Sequence, residues 1–531
     1  MERTSFFGDG KRSELFAFSF LIILLFTDAF INAAYGFSLP VFVATLAPAA
    51  VLAFLYPRAG LSAALSTTIV FERFFTLVPM TVGEISYKLY PLDIILVATF
   101  LSTFLLYIRD GRRRFRFRST DAFLLIFFGI VTVIFVSGLF GLGKDQGLAT
   151  AFSTWKNYVF YGALYFSAAT LVRTRDDVRS VARLFLGSVA VAGIFLLIGF
   201  ARGGGLWTEY TPLSTSGTRF LAFPHAFYYS MALLTLLLSL PFQTAGDGFV
   251  VEQHPTIGFA HPYAFFRRAE ELFAGRGNGD GALITERSVS YGTYAAIAFL
   301  TIGIVSSLMR HLWIGIAVTI VSAVLIAPNR IGKPLLRFAA TWILPSIGLL
   351  LLCISVLVAV PETVMGNPVG HVVDIVKERV LSIGSGTDES LAWREAVWES
   401  ALSRFSEHPF RGIGFGASVP VELGDYREYV EVRNMHNSWL AMLIQTGLFG
   451  MAAFSAFLVS LVKKAFRSDM GDDRYLQGAR IVLLGLLLFQ GIVFFSQPYL
   501  ETNLLGLFFF VTLGLMRALP DMYDGHTAHH D

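Results

Sequence analysis

Long apolar runs separated by short charged or turn-rich breaks dominate the chain, and most match the ~17–25 residues that a bilayer-spanning helix needs. Reading each run between its breaks predicts about fourteen spans. They lie near 14–34, 41–57, 62–82, 91–108, 121–142, 150–172, 182–201, 219–240, 289–308, 311–327, 338–360, 436–462, 479–498 and 500–516. The first run is longer than a signal-peptide core and no small-residue cleavage site follows it, so it reads as a retained helix.

The basic residues give an orientation. With the N-terminus in the cytoplasm, alternate breaks receive "RDGRRRFRFRS" (109–119), "RTRDDVRSVAR" (173–183), "NRIGKPLLR" (329–337) and "KKAFRSDMGDDR" (463–474). The opposite short loops carry little positive charge, as the positive-inside rule requires, and an even number of spans returns the C-terminus to the cytoplasm. Composition agrees: 55% of the 531 residues are hydrophobic and 15% are charged, too few charges for a soluble protein of this length. The predicted fold class is an all-α polytopic membrane protein. The net charge of +3 gives no reason to expect nucleic acid, and a single cysteine, Cys353, allows no intrachain disulfide.

Two breaks are long, and they set the expected organisation: helices over 1–360 with a cytoplasmic insert at 241–288, an extracytoplasmic loop domain at 361–434, and helices with a cytoplasmic tail over 435–531. The loop domain carries 12 acidic and 7 basic residues. Within it, "TDESLAWREAVWESALSRFSEHP" has acidic residues at its start and a stop at Pro409, the marks of a helix. Leu391, Arg394, Trp398, Leu402 and Phe405 share one face of that helix by spacing.

The polar residues that stand out gather on the predicted outer side. In "RNMHNSWLAMLIQTGLFG" (433–450), His436 and Asn437 sit where the acidic loop enters the membrane. Arg219 opens the span "RFLAFPHAFYYSMALLTLLL", Arg310 lies between two spans in "SSLMRHLWIG", and Arg394 shares its helix face with apolar residues. Charge at or inside the membrane boundary is costly without a partner, which makes these arginines functional candidates. Guanidinium groups suit phosphate oxygens, and an imidazole can take a proton from a hydroxyl. Together they predict a transfer site: His436 as base toward an acceptor hydroxyl, with Arg219, Arg310 and Arg394 around a departing lipid diphosphate and Asn437 orienting histidine or acceptor.

Bland readings accompany each of these. Arg310 could snorkel from a helix end, Arg394 could pair within its loop, and Trp398 fits packing better than sugar stacking. Lys156, in "STWKNYVFYGALYF", needs a partner: it lines the lipid cavity or pairs with Asp28 or another buried acid. "GIGFG" (412–416) reads as a tight turn near the site, and His526, His529 and His530 read as tail rather than metal site.

"RNMHNSWLAMLIQTGLFG" resembles the His-Asn signature of the bacterial O-antigen ligase and O-antigen polymerase superfamily. "WREAVWESALSRFSEHPFRGIGFG" is similar to that family's loop pattern, and "SSLMRHLWIG" and "TSGTRFLAFPHAF" resemble its arginine segments, with Pro224-His225 where the family usually has Pro-Asn. The resemblance covers about 290–460 well. It implies a GT-C-like glycosyltransferase at the outer face of the bacterial cytoplasmic membrane, needing no metal or other cofactor. The donor it implies is a glycan on undecaprenyl diphosphate; the acceptor is a lipid A core sugar (ligase) or a growing polysaccharide (polymerase). The family's loop histidine and arginines fall on His436, Arg219, Arg310 and Arg394. A lipid-linked glycan flippase remains the rival of another class, and would show pseudo-repeated halves. A carboxylate- and metal-dependent transferase would need acids in the first outer loop, where "YGFSLP" (35–40) has none and Glu84 and Asp93 are weak substitutes.

Overall fold

The computed structural model describes residues 10–35, 38–71, 80–82, 85–87, 90–110, 117–141, 147–201, 223–243, 291–307, 309–338, 340, 389–423, 426–468, 470, 473–501 and 504–527. The chain divides into two compact units, residues 1–201 with 397–531, and residues 202–396. Among the described residues both are largely helical. Among the described residues seven helices are long and apolar enough to cross a membrane: Arg12–Ile31, Pro91–Arg109, Ser119–Phe140, Pro224–Phe242, Ser438–Arg467, Arg474–Val493 and Leu505–Tyr523. Leu39–Leu55, Ala295–Val305 and Arg310–Ile326 are apolar but shorter.

In the first unit, Gly10–Tyr35, Leu39–Leu55, Pro57–Phe71, Pro91–Asp110 and Arg175–Ala201 pack on one another. Ser119–Gly141 lies along Ser438–Arg467, and Leu164–Leu171 along Leu505–Thr527. The Leu505 helix is nearly all interior, with Leu505, Leu507, Phe509, Phe510 and Leu513 fully buried. Helices at the margin show the opposite pattern: Val97, Leu101, Phe104 and Ile108 stay exposed along one line of Pro91–Asp110. An exposed apolar line at helical spacing suits contact with lipid. In the second unit, Phe223–Gln243 packs against Tyr291–Ser306 and Arg310–Ile326.

Several expectations change in detail. The run at 62–82 is not one helix: Pro57–Phe71 ends after 15 residues, and Met80–Val82 pairs with Ile85–Tyr87 as an antiparallel hairpin. A second hairpin pairs Ser418–Leu423 with Tyr426–Glu431, so the fold is helical with two small β-ribbons rather than all-α. Alternation explains it, because Val419, Val421 and Val430 are buried while Pro420, Glu422 and Tyr429 point outward. The run at 150–172 is segmented into Leu148–Trp155, a π turn at Lys156–Phe160, a 3₁₀ turn at Tyr161–Ala163 and Leu164–Leu171. The insert at 241–288, apart from the end of the Phe223 helix, the span at 338–360, apart from residues 338 and 340, and Cys353, Glu72 and Glu84 lie outside the described residues.

Candidate functional site

The helix expected before Pro409 forms as Glu389–Ser406. Its buried line runs through Val397 and Ala401, one position from the predicted stripe, and Leu402 is 44% exposed. One turn on, the Arg404 guanidinium donates to the Ser418 carbonyl at 2.6 Å. Arg404 thus ties the end of this helix to the start of the hairpin. Trp398, beside that line, donates its indole N–H to the carbonyl of Met435 at 2.8 Å. Packing and a hydrogen bond thus fasten this helix to the residue just before His436.

The hairpin runs into a 3₁₀ turn, Val432–Asn434, and then into His436 at φ +58. His436 is the only non-glycine among the described residues with positive φ. That conformation costs a β-substituted residue about 1–2 kcal/mol, so the surrounding contacts must hold it. Asn437 supplies one of them by capping the Ser438–Arg467 helix: its side-chain oxygen accepts the N–H of Leu440 at 3.0 Å.

The turn between the last two helices supplies the rest. His436 Nδ1 lies 3.1 Å from Gln497 Oε1. The Ser438 amide donates to Phe494, the Ser438 hydroxyl donates to the Gln497 carbonyl at 2.9 Å and accepts the Leu500 amide at 3.2 Å, and Trp439 donates to Gly491. The histidine turn and residues 491–500 thus form one hydrogen-bonded block.

A polar cluster lies in the same unit. Glu431 accepts from Arg433 at 2.7 Å, from Asn434 at 3.2 Å and from Thr150 at 2.9 Å. Lys156 pairs with Asp93 at 2.9 Å rather than with Asp28, and its ammonium stands 4.2 Å from the centre of the Tyr90 ring. Tyr161 also donates to Asp93, at 3.0 Å. Glu501, in the turn at 494–504, is wholly buried; its carboxylate accepts the Tyr158 hydroxyl and its carbonyl the Asn157 amide. Burial pushes its carboxyl up to about 8, against the Tyr158 hydrogen bond and the positive charge of Arg433. Burial and the charge of Asp93 push the Tyr90 phenol up to about 12, and Arg433 opposes this too. Arg433 therefore acts on both sides of the cluster. Near neutral pH, Lys156 and Arg433 balance Asp93 and Glu431 while Glu501 stays protonated.

"GIGFG" forms a tight turn. Gly412, Gly414 and Gly416 all have positive φ, and the turn docks where the Ser438 helix breaks at Gly447. The amides of Leu448 and Phe449 donate to Pro409 and Phe410, and those of Ile413 and Gly414 donate to Ile444 and Gln445. The loop thereby satisfies backbone groups that the break releases. A Cβ on Gly447 would stand 2.1 Å from the Phe410 carbonyl oxygen, which excludes any side chain there.

Of the residues singled out from sequence, His436, Asn437, Trp398 and Lys156 fall in this unit. Arg310 begins its own helix and Arg394 lies in the first half of Glu389–Ser406, both half-buried and both in the other unit. Arg219 lies outside the described residues. Sequence reading passed over Arg433, Gln497 and Glu501; "QPYLE" between two apolar runs was the available signal for the last two. No group of three or more histidines, cysteines or acids suited to a metal ion occurs among the described residues.

Residues 295–455 match a family model described as O-antigen ligase. The match contains Arg310, Arg394, Trp398, the glycine turn, His436 and Asn437. No curated protein matches the chain.

Proposed function

We infer from the match of residues 295–455 to the O-antigen ligase family model that the chain is a member of that superfamily, and from that premise we propose that it is an inverting glycan transferase of the ligase type. The observation that carries this reading is His436: a histidine held in a left-handed backbone by a helix cap, a tryptophan and a neighbouring turn. Strain of this kind is retained where a side chain must be aimed.

In this reading the acceptor hydroxyl gives its proton to His436 as its oxygen bonds to the anomeric carbon of the donor glycan. The bond from that carbon to the lipid diphosphate breaks from the opposite face, so the configuration inverts. Arg219, Arg310 and Arg394 neutralise the diphosphate that leaves. The cations of the polar cluster are already paired, Lys156 with Asp93 and Arg433 with Glu431, which leaves that task to arginines elsewhere, with Lys156 secondary. Trp398 acts by packing rather than by sugar stacking. The donor is an undecaprenyl-diphosphate glycan, the acceptor a lipid A core sugar, and the His436 end faces the outside of the bacterial inner membrane. The reaction uses no cofactor or metal.

The test is transfer by the purified full chain in lipid nanodiscs, given the lipid-diphosphate glycan and a core acceptor, with products read by mass spectrometry. Replacing His436 by Ala should lower the rate by about 10²–10⁴-fold, the usual worth of a general base. Chelator should change nothing. Full activity in H436A overturns the reading, glycan joined to glycan instead of core identifies a polymerase, and movement across the bilayer without bond formation identifies a flippase.

A further inference from the structure

A histidine base is useful only if the correct ring nitrogen carries the lone pair. The structure offers an unassigned answer in the turn at 494–504. Gln497 Oε1 lies 3.1 Å from His436 Nδ1, and an amide oxygen in that place accepts from the ring when Nδ1 carries the proton. We propose that Gln497 is the positioning residue of His436: its amide oxygen accepts Nδ1–H and leaves Nε2 as the nitrogen that takes the acceptor's proton. This rests on the reading of His436 as the base and goes beyond it.

Two further observations carry the proposal. First, Gln497 is mounted rigidly. Its carbonyl accepts the Ser438 hydroxyl, that hydroxyl accepts the Leu500 amide, and the Ser438 amide is tied to Phe494, so contacts on both sides of Gln497 join its turn to the residue two positions after His436. A freely moving loop glutamine could not select a tautomer. Second, the partner is neutral. A carboxylate there would also orient the ring, but it would stabilise imidazolium before the acceptor arrived and would repel an incoming diphosphate. An amide orients the ring without adding negative charge. Glu501, on the same turn, is likewise kept neutral by burial.

The experiment reads the ring directly. Full-length protein labelled with ¹⁵N-histidine is placed in nanodiscs, and His436 is assigned by difference from H436Q. Solid-state NMR should show a protonated Nδ1 and an unprotonated Nε2, and Gln497→Leu should abolish that preference. In the transfer assay Q497L should lower kcat by between about tenfold and a hundredfold, part of the general-base contribution, with donor KM within about twofold. Gln497→Glu should remain active, with the acid limb of its pH profile moved to higher pH and a raised donor KM. Ser438→Ala removes the hydroxyl that mounts the Gln497 carbonyl and should weaken the tautomer preference in the same direction as Q497L, while unfolding temperatures near wild type show that both variants fold. A protonated Nε2 in the wild type, a spectrum unchanged in Q497L, or a pH profile unmoved in Q497E overturns the proposal. The first two leave the transferase reading standing, whereas full transfer by H436A removes that reading whatever the spectrum shows.

Discussion

The unit formed by residues 1–201 and 397–531 buries polar residues at both ends, and the two ends are built differently. At the Arg517 end, Asp121 accepts from Arg517 at 3.3 Å, from the Tyr165 hydroxyl at 2.6 Å and from the Arg118 amide at 2.7 Å. Asp521 pairs with both Arg517 and Arg118. Each acid has two or more partners, and Asp121 and Arg517 are almost wholly buried. At the His436 end a histidine is held in a costly backbone conformation, Glu431 and Arg433 stay half-exposed, and Glu501 keeps one oxygen buried without a partner among the described residues. A network whose acids are fully paired holds helices together. One left strained and incompletely paired is a candidate for chemistry.

The largest effects should separate the ends cleanly. Asp121→Ala removes the buried partner of Arg517 and leaves it only the part-exposed Asp521, a loss of about 2–4 kcal/mol that should appear as a lowered unfolding temperature and poor yield. The molecules that do fold should keep their specific activity. His436→Ala should do the reverse, losing transfer while its unfolding temperature stays within a few degrees of wild type. If D121A lost specific activity and H436A lost stability, the contrast would be mistaken.

Glu501 gives the next test, through pH. Its folded carboxyl titrates at about 8, far above an ordinary carboxyl near 4.5. Between those values the unfolded chain has released the proton and the folded chain holds it, so stability falls as pH rises through that window. The slope is at most about 1.4 kcal/mol per pH unit for one group, and it vanishes above the folded value. Unfolding temperatures measured from pH 5 to 9 should decline in the wild type and flatten in Glu501→Gln, which keeps the oxygen that accepts from Tyr158.

Much of the scaffold was legible in the amino-acid pattern, and so was part of the site. Apolar runs located the long helices, the Asn after His436 was readable as a helix start, and "GIGFG" as a turn. Three things were not readable, for physical reasons. Lys156 meets Asp93 across 63 residues, and periodicity does not encode which buried acid a buried cation will reach. Gln497 and Glu501 lie in a short turn between apolar runs, where a few polar residues look like a simple connection. Gly447 sits within a long apolar stretch in which glycine is commonplace, so nothing announced the break that receives the glycine turn. That break is testable as well: Gly447→Ala meets both a positive φ and the Phe410 oxygen, and should lower stability by at least about 2 kcal/mol in thermal unfolding.

The smallest effect bears most directly on why the two ends differ. If His436 is held in a left-handed conformation for its side chain alone, the backbone there would be easier to fold with glycine once the imidazole is gone. His436→Ala and His436→Gly both lack the base and should be equally inactive. Alanine keeps the cost of positive φ, about 1–2 kcal/mol, while glycine sheds it and gives back about 0.5–1 kcal/mol in unfolded-chain entropy. The glycine variant should therefore be at least as stable, by a margin of up to about 1.5 kcal/mol, measurable as a small upward shift in unfolding temperature at constant lipid composition. Should alanine prove clearly the more stable, the backbone at 436 stores no strain, and the histidine would be no more specially held than the residues of the paired network at the other end.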